Sequence, residues 1–97
     1  MSRFARRTDS NHAEIVAGLR QCGVAVLDLH ALPGALDALC GFRGRLTLLE
    51  IKDGAKSASR KRLTPAELAT VELFALHGCS VAVVDSLDAA LKVLGAT

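Results

Sequence analysis

LDALCGFRGRLTLLEIKD, residues 36–53, decides the fold. Apolar runs at 36–42 and 45–52 flank Arg43-Gly44, so the stretch reads as a β-hairpin. A two-residue turn puts Phe42 opposite Arg45 and, further along the ladder, Asp37 opposite Glu50. Arg-Gly is less favoured in such a loop than Asn-Gly, and a three-residue loop with Gly44 in a bulge is the alternative. Side chains directly opposite in an antiparallel pair have Cβ atoms roughly 4.5–5.5 Å apart. Strand side chains alternate faces, so Lys52 points the same way as Glu50. Two carboxylates and an ammonium then crowd one face of a greasy hairpin. Like charges directly opposite destabilise a sheet unless something compensates them; a divalent cation is the obvious candidate.

Working outward, residues 1–8 read as a flexible basic arm that includes Arg7, and residues 9–97 as a single domain. A helix from Asp9 or Ser10 places Ile15, Leu19 and Cys22 at helical spacing, with Gly23 closing it. Val24 to Leu29 is an apolar run of strand length, and Leu32-Pro33-Gly34 is a turn. After the hairpin, residues 53–61 carry Gly, Ser and charge without periodicity and read as a loop. Thr64-Pro65-Ala66-Glu67 is a capping box with proline at the first helical position, and Leu63 and Leu68 occupy the places of a hydrophobic staple. Val71 and Ala75 continue a buried stripe to Gly78. Ser80 to Val84 is a short strand. Ser86 caps a last helix with Leu87, Leu91 and Leu94 inward and Gly95 after it. The order is α-β-β-β-α-β-α. A helix between the third and fourth strands makes them parallel neighbours in a mixed sheet flanked by helices.

Ninety-seven residues, 51% of them apolar, are enough for one small core. No stretch approaches the roughly 18 apolar residues of a membrane span. The basic, polar start has no apolar continuation of the secretory kind, which implies a cytoplasmic protein. Cys22, Cys40 and Cys79 are odd in number, lie in apolar segments and read as reduced core residues; His12, His30 and His77 form no zinc-ligand spacing with them. The net charge of +2 hides an asymmetry. Between residues 43 and 62, Arg43, Arg45, Lys52, Lys56, Arg60, Lys61 and Arg62 face only Glu50 and Asp53, whereas residues 63–97 are net acidic. A basic run beside paired carboxylates favours a polyanionic partner, nucleic acid, over a merely solvated loop.

Glu14 lies one turn into the first helix among polar positions, and a helix packed on the sheet turns it toward Asp37 and Glu50. Three carboxylates and a lysine make a hard-oxygen site suited to Mg²⁺ or Mn²⁺ rather than zinc. Such an ion orients an attacking water and neutralises developing phosphorane charge, and Lys52 adds positive charge beside that water. Hydrolysis of a phosphodiester is the chemistry that fits. Glu-x-Lys alone is common; its weight comes from the opposed Asp37, the helix Glu and the basic loop together.

The order α-β-β-β-α-β, with Asp on the second strand and Glu-x-Lys on the third, resembles the PD-(D/E)xK nuclease core of the restriction-endonuclease-like α/β fold. Within it the chain resembles the small stand-alone virus-type replication-repair nuclease (VRR-NUC) domains of phages and bacteria, which are related to Holliday-junction resolvases. The matching residues are Asn11, Glu14-Ile15, His30, Gly34, Asp37, Gly41-Phe42-Arg43-Gly44, Leu49 to Gly54, Ser59-Arg60 and Leu63-Thr64-Pro65. The resemblance implies that Asp37, Glu50 and the Ile51 carbonyl bind Mg²⁺, for which Mn²⁺ can substitute. It makes Lys52 the catalytic lysine and Glu14 a further metal-binding acid. Arg7, His30, Arg43, Lys56, Arg60, Lys61 and Arg62 are the candidate DNA contacts. Leu36 replaces the family's proline before the aspartate. The glutamine frequent early in the helix after Thr-Pro has no clear counterpart, since Glu67-Leu68 stand there. The expected activity is metal-dependent cutting of branched DNA by a homodimer. The alternatives are a flap, single-strand or duplex nuclease, a degenerate protein that binds DNA without cutting, and an interaction module in which Lys52 merely neutralises Glu50.

Overall fold

In the computed structural model, which describes residues 11–32, 35–53 and 63–96, seven elements follow in the expected order. They are α1 (His12–Gln21), β1 (Ala25–Asp28), β2 (Ala38–Phe42), β3 (Arg45–Ile51), α2 (Pro65–Leu76), β4 (Ser80–Val84) and α3 (Leu87–Leu94). The strands form one mixed sheet in the order β1-β2-β3-β4. The first three pair antiparallel, and β3 and β4 run parallel, as a connection through a helix requires. The expected basic arm (residues 1–8) and most of the basic loop, with Arg7, Lys56, Arg60, Lys61 and Arg62, lie outside the described residues.

The hairpin turn has two residues. Phe42 pairs with Arg45 and Ala38 with Leu49. Arg43 and Gly44 both take positive φ, 52° and 79°, the backbone of the primed turns that match strand twist. A non-glycine residue with positive φ is uncommon; here the Arg43 guanidinium lies 5.1 Å from the centre of the Phe42 ring, a cation–π contact that offsets part of the strain.

One face of the sheet carries Ala38, Cys40, Leu49, Ile51 and Val84 into the core, where Ile15, Val16 and Leu19 of α1 and Ala90, Leu91 and Leu94 of α3 meet them. The two helices come close at Gly18: a Cβ there would stand 2.5 Å from a Leu87 methyl. Ser86 accepts the Ala89 N–H at the start of α3, and Gly95, at φ 74°, ends it.

The opposite face is thinly covered. α2 lies over it beside β4, yet Glu67 is its only buried residue among those described. Leu68, Leu73 and Leu76 are 45%, 53% and 82% exposed. The buried stripe expected through Val71 and Ala75 is therefore not formed: Val71 is half-buried and Ala75 exposed. Nearly every side of this helix is apolar, so its sequence does not single out one face for burial. The expectation of three core cysteines is likewise corrected. Cys40 is buried, and burial pushes its thiol up to about 11. Cys22 and Cys79 are exposed, because one caps α1 and the other precedes β4, where the chain turns at the surface.

Gly44 meets no atom within 4 Å where a Cβ would stand, so its substitution carries only a conformational cost. Gly44→Ala should lower stability by about 1–2 kcal/mol, the penalty of left-handed backbone for an L-residue, measured by urea unfolding. An unchanged midpoint would contradict the turn.

Candidate active site

Three side chains converge at the end of the hairpin remote from its turn. Asp37 stands just before β2, Glu50 near the end of β3 and Lys52 just after it. Asp37 leaves the regular ladder: its N–H donates to the Leu49 carbonyl at 3.0 Å, and its Oδ2 accepts the Ile51 N–H at 2.8 Å. These two bonds bracket Glu50 and set the two carboxylates on facing strands. Both acids are buried, Asp37 at 5% and Glu50 at 2% exposure.

Lys52 Nζ lies 3.3 Å from Glu50 Oε2 and donates to Glu67 Oε1 at 2.9 Å. That same Glu67 oxygen accepts the Thr64 N–H at 2.8 Å, closing the capping box. A single carboxylate oxygen thus starts α2 and holds the lysine. The Lys52 carbonyl accepts from Asn11 Nδ2 at 3.1 Å, and Asn11 also donates to Asp85, which ties the strand end to α1 and to the β4–α3 connection.

The electrostatics divide the groups. Burial, then the charge of Asp37, then the hydrogen bond and charge of Glu67 push Glu50 up to about 9, against the pull of Lys52. Burial works against ionised Glu67, but the Thr64 N–H and Lys52 outweigh it, and its pKa is lowered. Burial likewise disfavours charged Lys52; the hydrogen bond to Glu67 and the charge of Glu50 outweigh it, and its pKa is raised. Lys52 is therefore a fixed cation and not a proton-abstracting base. Glu50 holds a proton, and its Oε1 is buried with no hydrogen-bond partner among the described residues. Two buried acids, one with an orphaned oxygen, fit a hard divalent cation better than they fit each other.

The structure thus brings together Asp37, Glu50 and Lys52 of the sequence-derived site, and adds Glu67. Glu14 is exposed and lines a cleft with Asn11, Asp53 and Asp85, to which neither Asp37 nor Glu50 contributes. On the Asp37 side, α1 supplies His12, whose Nδ1 is 3.6 Å from Asp37 Oδ1. His30 stands against Asp28, 2.7 Å from its carboxylate. Arg43 sits at the hairpin turn, seven residues before Glu50 of β3, roughly 20 Å away at strand rise. Sequence reasoning missed the contacts of His12 and Glu67. The signal for Glu67 lay in its place on the first turn of α2, where the capping box already explained it.

No family model matches the chain, and no curated protein matches it. Among solved structures it is similar to one described as a VRR_NUC domain, at 24% identity and a TM-score of 0.64, over 88% of this chain and 95% of that one.

The proton on Glu50 makes stability depend on pH. Unfolded, the residue titrates near its ordinary 4.5; folded without an ion, near about 9. In between, the folded chain binds a proton that the unfolded chain does not, so raising pH withdraws stability. In EDTA the melting temperature should fall as pH rises from 4.5 toward about 9, and Glu50→Gln should flatten the fall. Mg²⁺ should restore stability most at the alkaline end, where it need not displace a proton. A pH response that is the same in wild type and Glu50→Gln would refute the assignment.

The likeness in fold and the matching order of elements agree: this chain has the restriction-endonuclease-like α/β fold of a VRR_NUC domain.

Proposed function

We propose that the chain is a Mg²⁺-dependent endodeoxyribonuclease that hydrolyses phosphodiester bonds in branched DNA, as Holliday-junction resolvases do, and works as a homodimer in the bacterial cytoplasm, with a phage or prophage gene as its origin. The observation that carries this reading is the convergence of buried Asp37 and Glu50 with Lys52 at one end of the sheet. Asp37 and Glu50 would hold the ion, with the Ile51 carbonyl as the further ligand carried over from the family likeness; Glu14, on the cleft by Asp53, would reach it through water. When bound, the ion supplies positive charge to the phosphoryl oxygens and acidifies a water.

The chain's own residues do the rest. Asp37 is held in place by the Ile51 N–H. Lys52, charged and gripped by Glu67, presents a positive group beside the carboxylates, where an attacking water or a phosphate oxygen needs it. Glu67 positions Lys52 and does not itself touch the substrate in this reading. Arg7, Lys56, Arg60, Lys61 and Arg62 are proposed phosphate contacts, and Arg43, at the far end of the hairpin, another.

Exposed apolar side chains on the α2 side of the sheet, Leu46 at 65%, Leu73 at 53% and Leu76 at 82%, support a second copy as partner. A twofold dimer presents two related sites, which suits symmetrical cutting of a four-way junction.

Synthetic four-way junction, flap, single strand and duplex, each with Mg²⁺, Mn²⁺ or EDTA, test the reading. Metal-dependent cleavage of at least the junction is expected. Asp37→Ala and Lys52→Ala should each lower it by about 100-fold or more, as removal of a charge-stabilising group does, with DNA binding retained. Binding should weaken steeply as salt rises. Preference for another substrate would move the assignment to that DNA, and cleavage surviving both substitutions would exclude this site.

A further inference from the structure

The groups that the hydrolytic site leaves unused gather on the other flank of Asp37. His12 opens α1 and is 5% exposed. Asp28 ends β1, and His30 follows two residues later. His12 Nε2 is 3.0 Å from Asp28 Oδ2, and His30 Nδ1 is 2.7 Å from Asp28 Oδ1. The two imidazole rings meet edge to face, 5.2 Å between centroids. One ligand atom from each of the three residues lies within 4.8 Å of the others. Nitrogen and oxygen ligands at 2.0–2.2 Å from a common ion stand about 3 Å apart. Each imidazole nitrogen is already near that value from one oxygen of Asp28, a different oxygen for each, so a bidentate carboxylate or a small shift of the half-exposed His30 brings the three residues onto one ion.

His12 carries the second, independent sign. Its Nε2 points into the cluster, while its Nδ1 is buried, without a hydrogen-bond partner among the described residues, and faces Asp37 Oδ1 at 3.6 Å. A metal-binding imidazole characteristically turns its other N–H toward a carboxylate, which fixes the tautomer and the ring. The Asp28 carboxylate is also ready as a ligand. Burial opposes its charge, but the hydrogen bonds from His30 and His12 outweigh it and bring it down to about 2.

We propose that His12 Nε2, Asp28 and His30 Nδ1 form a second metal site, distinct from that of Asp37 and Glu50, for a borderline divalent transition ion such as Zn²⁺. Two imidazoles and one carboxylate suit such ions, whereas Mg²⁺ prefers all-oxygen ligands. The cleft beside the cluster, lined by Ala13, Val16, Ala17 and Arg20, leaves a fourth coordination position accessible. Ion binding clamps the end of β1 to the start of α1 and, through the far nitrogen of His12, orients Asp37.

Co²⁺ titrated into the whole, EDTA-stripped chain in excess Mg²⁺ tests this, read by visible ligand-field absorption and by melting temperature. A single Co²⁺ should bind with a nitrogen–oxygen spectrum and raise the melting temperature. His30→Ala, on an exposed loop whose change leaves the core alone, should weaken binding at least ~10-fold, the scale of losses at metal sites; Asp28→Asn should do the same. Glu50→Gln should bind Co²⁺ as the wild type does. Absence of Co²⁺ binding overturns the proposal, as does binding that withstands both substitutions or disappears in Glu50→Gln. None of these readouts depends on whether the chain cuts DNA, so the two proposals fail separately.

Discussion

The site rests on one hydrogen bond, from the Ile51 N–H to the Asp37 carboxylate. A side chain here takes the place that a backbone carbonyl would fill in an unbroken ladder. The substitution satisfies a buried backbone donor, which is costly to orphan. It also satisfies a buried carboxylate, for which a bond to a charged group is worth about 1.5–3 kcal/mol. Because the donor is the residue after Glu50, the same bond fixes how close the two acids stand. Burial, together with this crowding, raises Glu50, and the affinity for a compensating cation follows. Core packing behind it, through Leu49, Ile51 and Ala38, keeps the frame from relaxing.

Around that bond the polar groups are shared between tasks. Asn11 bridges Lys52 and Asp85, so α1, the end of β3 and the start of α3 are joined by one amide. His12 stands between Asp28 and Asp37. The elements supplying these side chains are far apart in sequence, and one end of the sheet, where β3 finishes, is where they meet. Loops after strand ends commonly carry function for this reason: the rigid sheet positions them without burying their backbone.

Much of this was legible from local rules. The hairpin register follows from strand length and turn length, so Asp37, Glu50 and Lys52 fell together as the pattern required. The capping box of α2, the Ser86 cap of α3 and the glycines after both are local signals, and both helices begin as read. What was not legible depends on tertiary placement. Glu14 and His12 are two residues apart on α1, and only the rotation of the helix on the sheet decides that His12 faces Asp37 while Glu14 faces the cleft by Asp53. The approach of His12 to Asp28 and His30 is non-local too, since no short motif links positions 12, 28 and 30. On α2 an all-round apolar sequence names no buried face, and the expected stripe through Ala75 is open to water.

The double use of the Glu67 oxygen has a dynamic consequence. Helix ends fray, and local opening takes far less free energy than global unfolding. When the first turn of α2 opens, the acceptor that anchors the lysine leaves with it. Fraying at that terminus and the wandering of the Lys52 amine are therefore a single motion. Whatever steadies Thr64 and Pro65 also steadies the cation at the heart of the site.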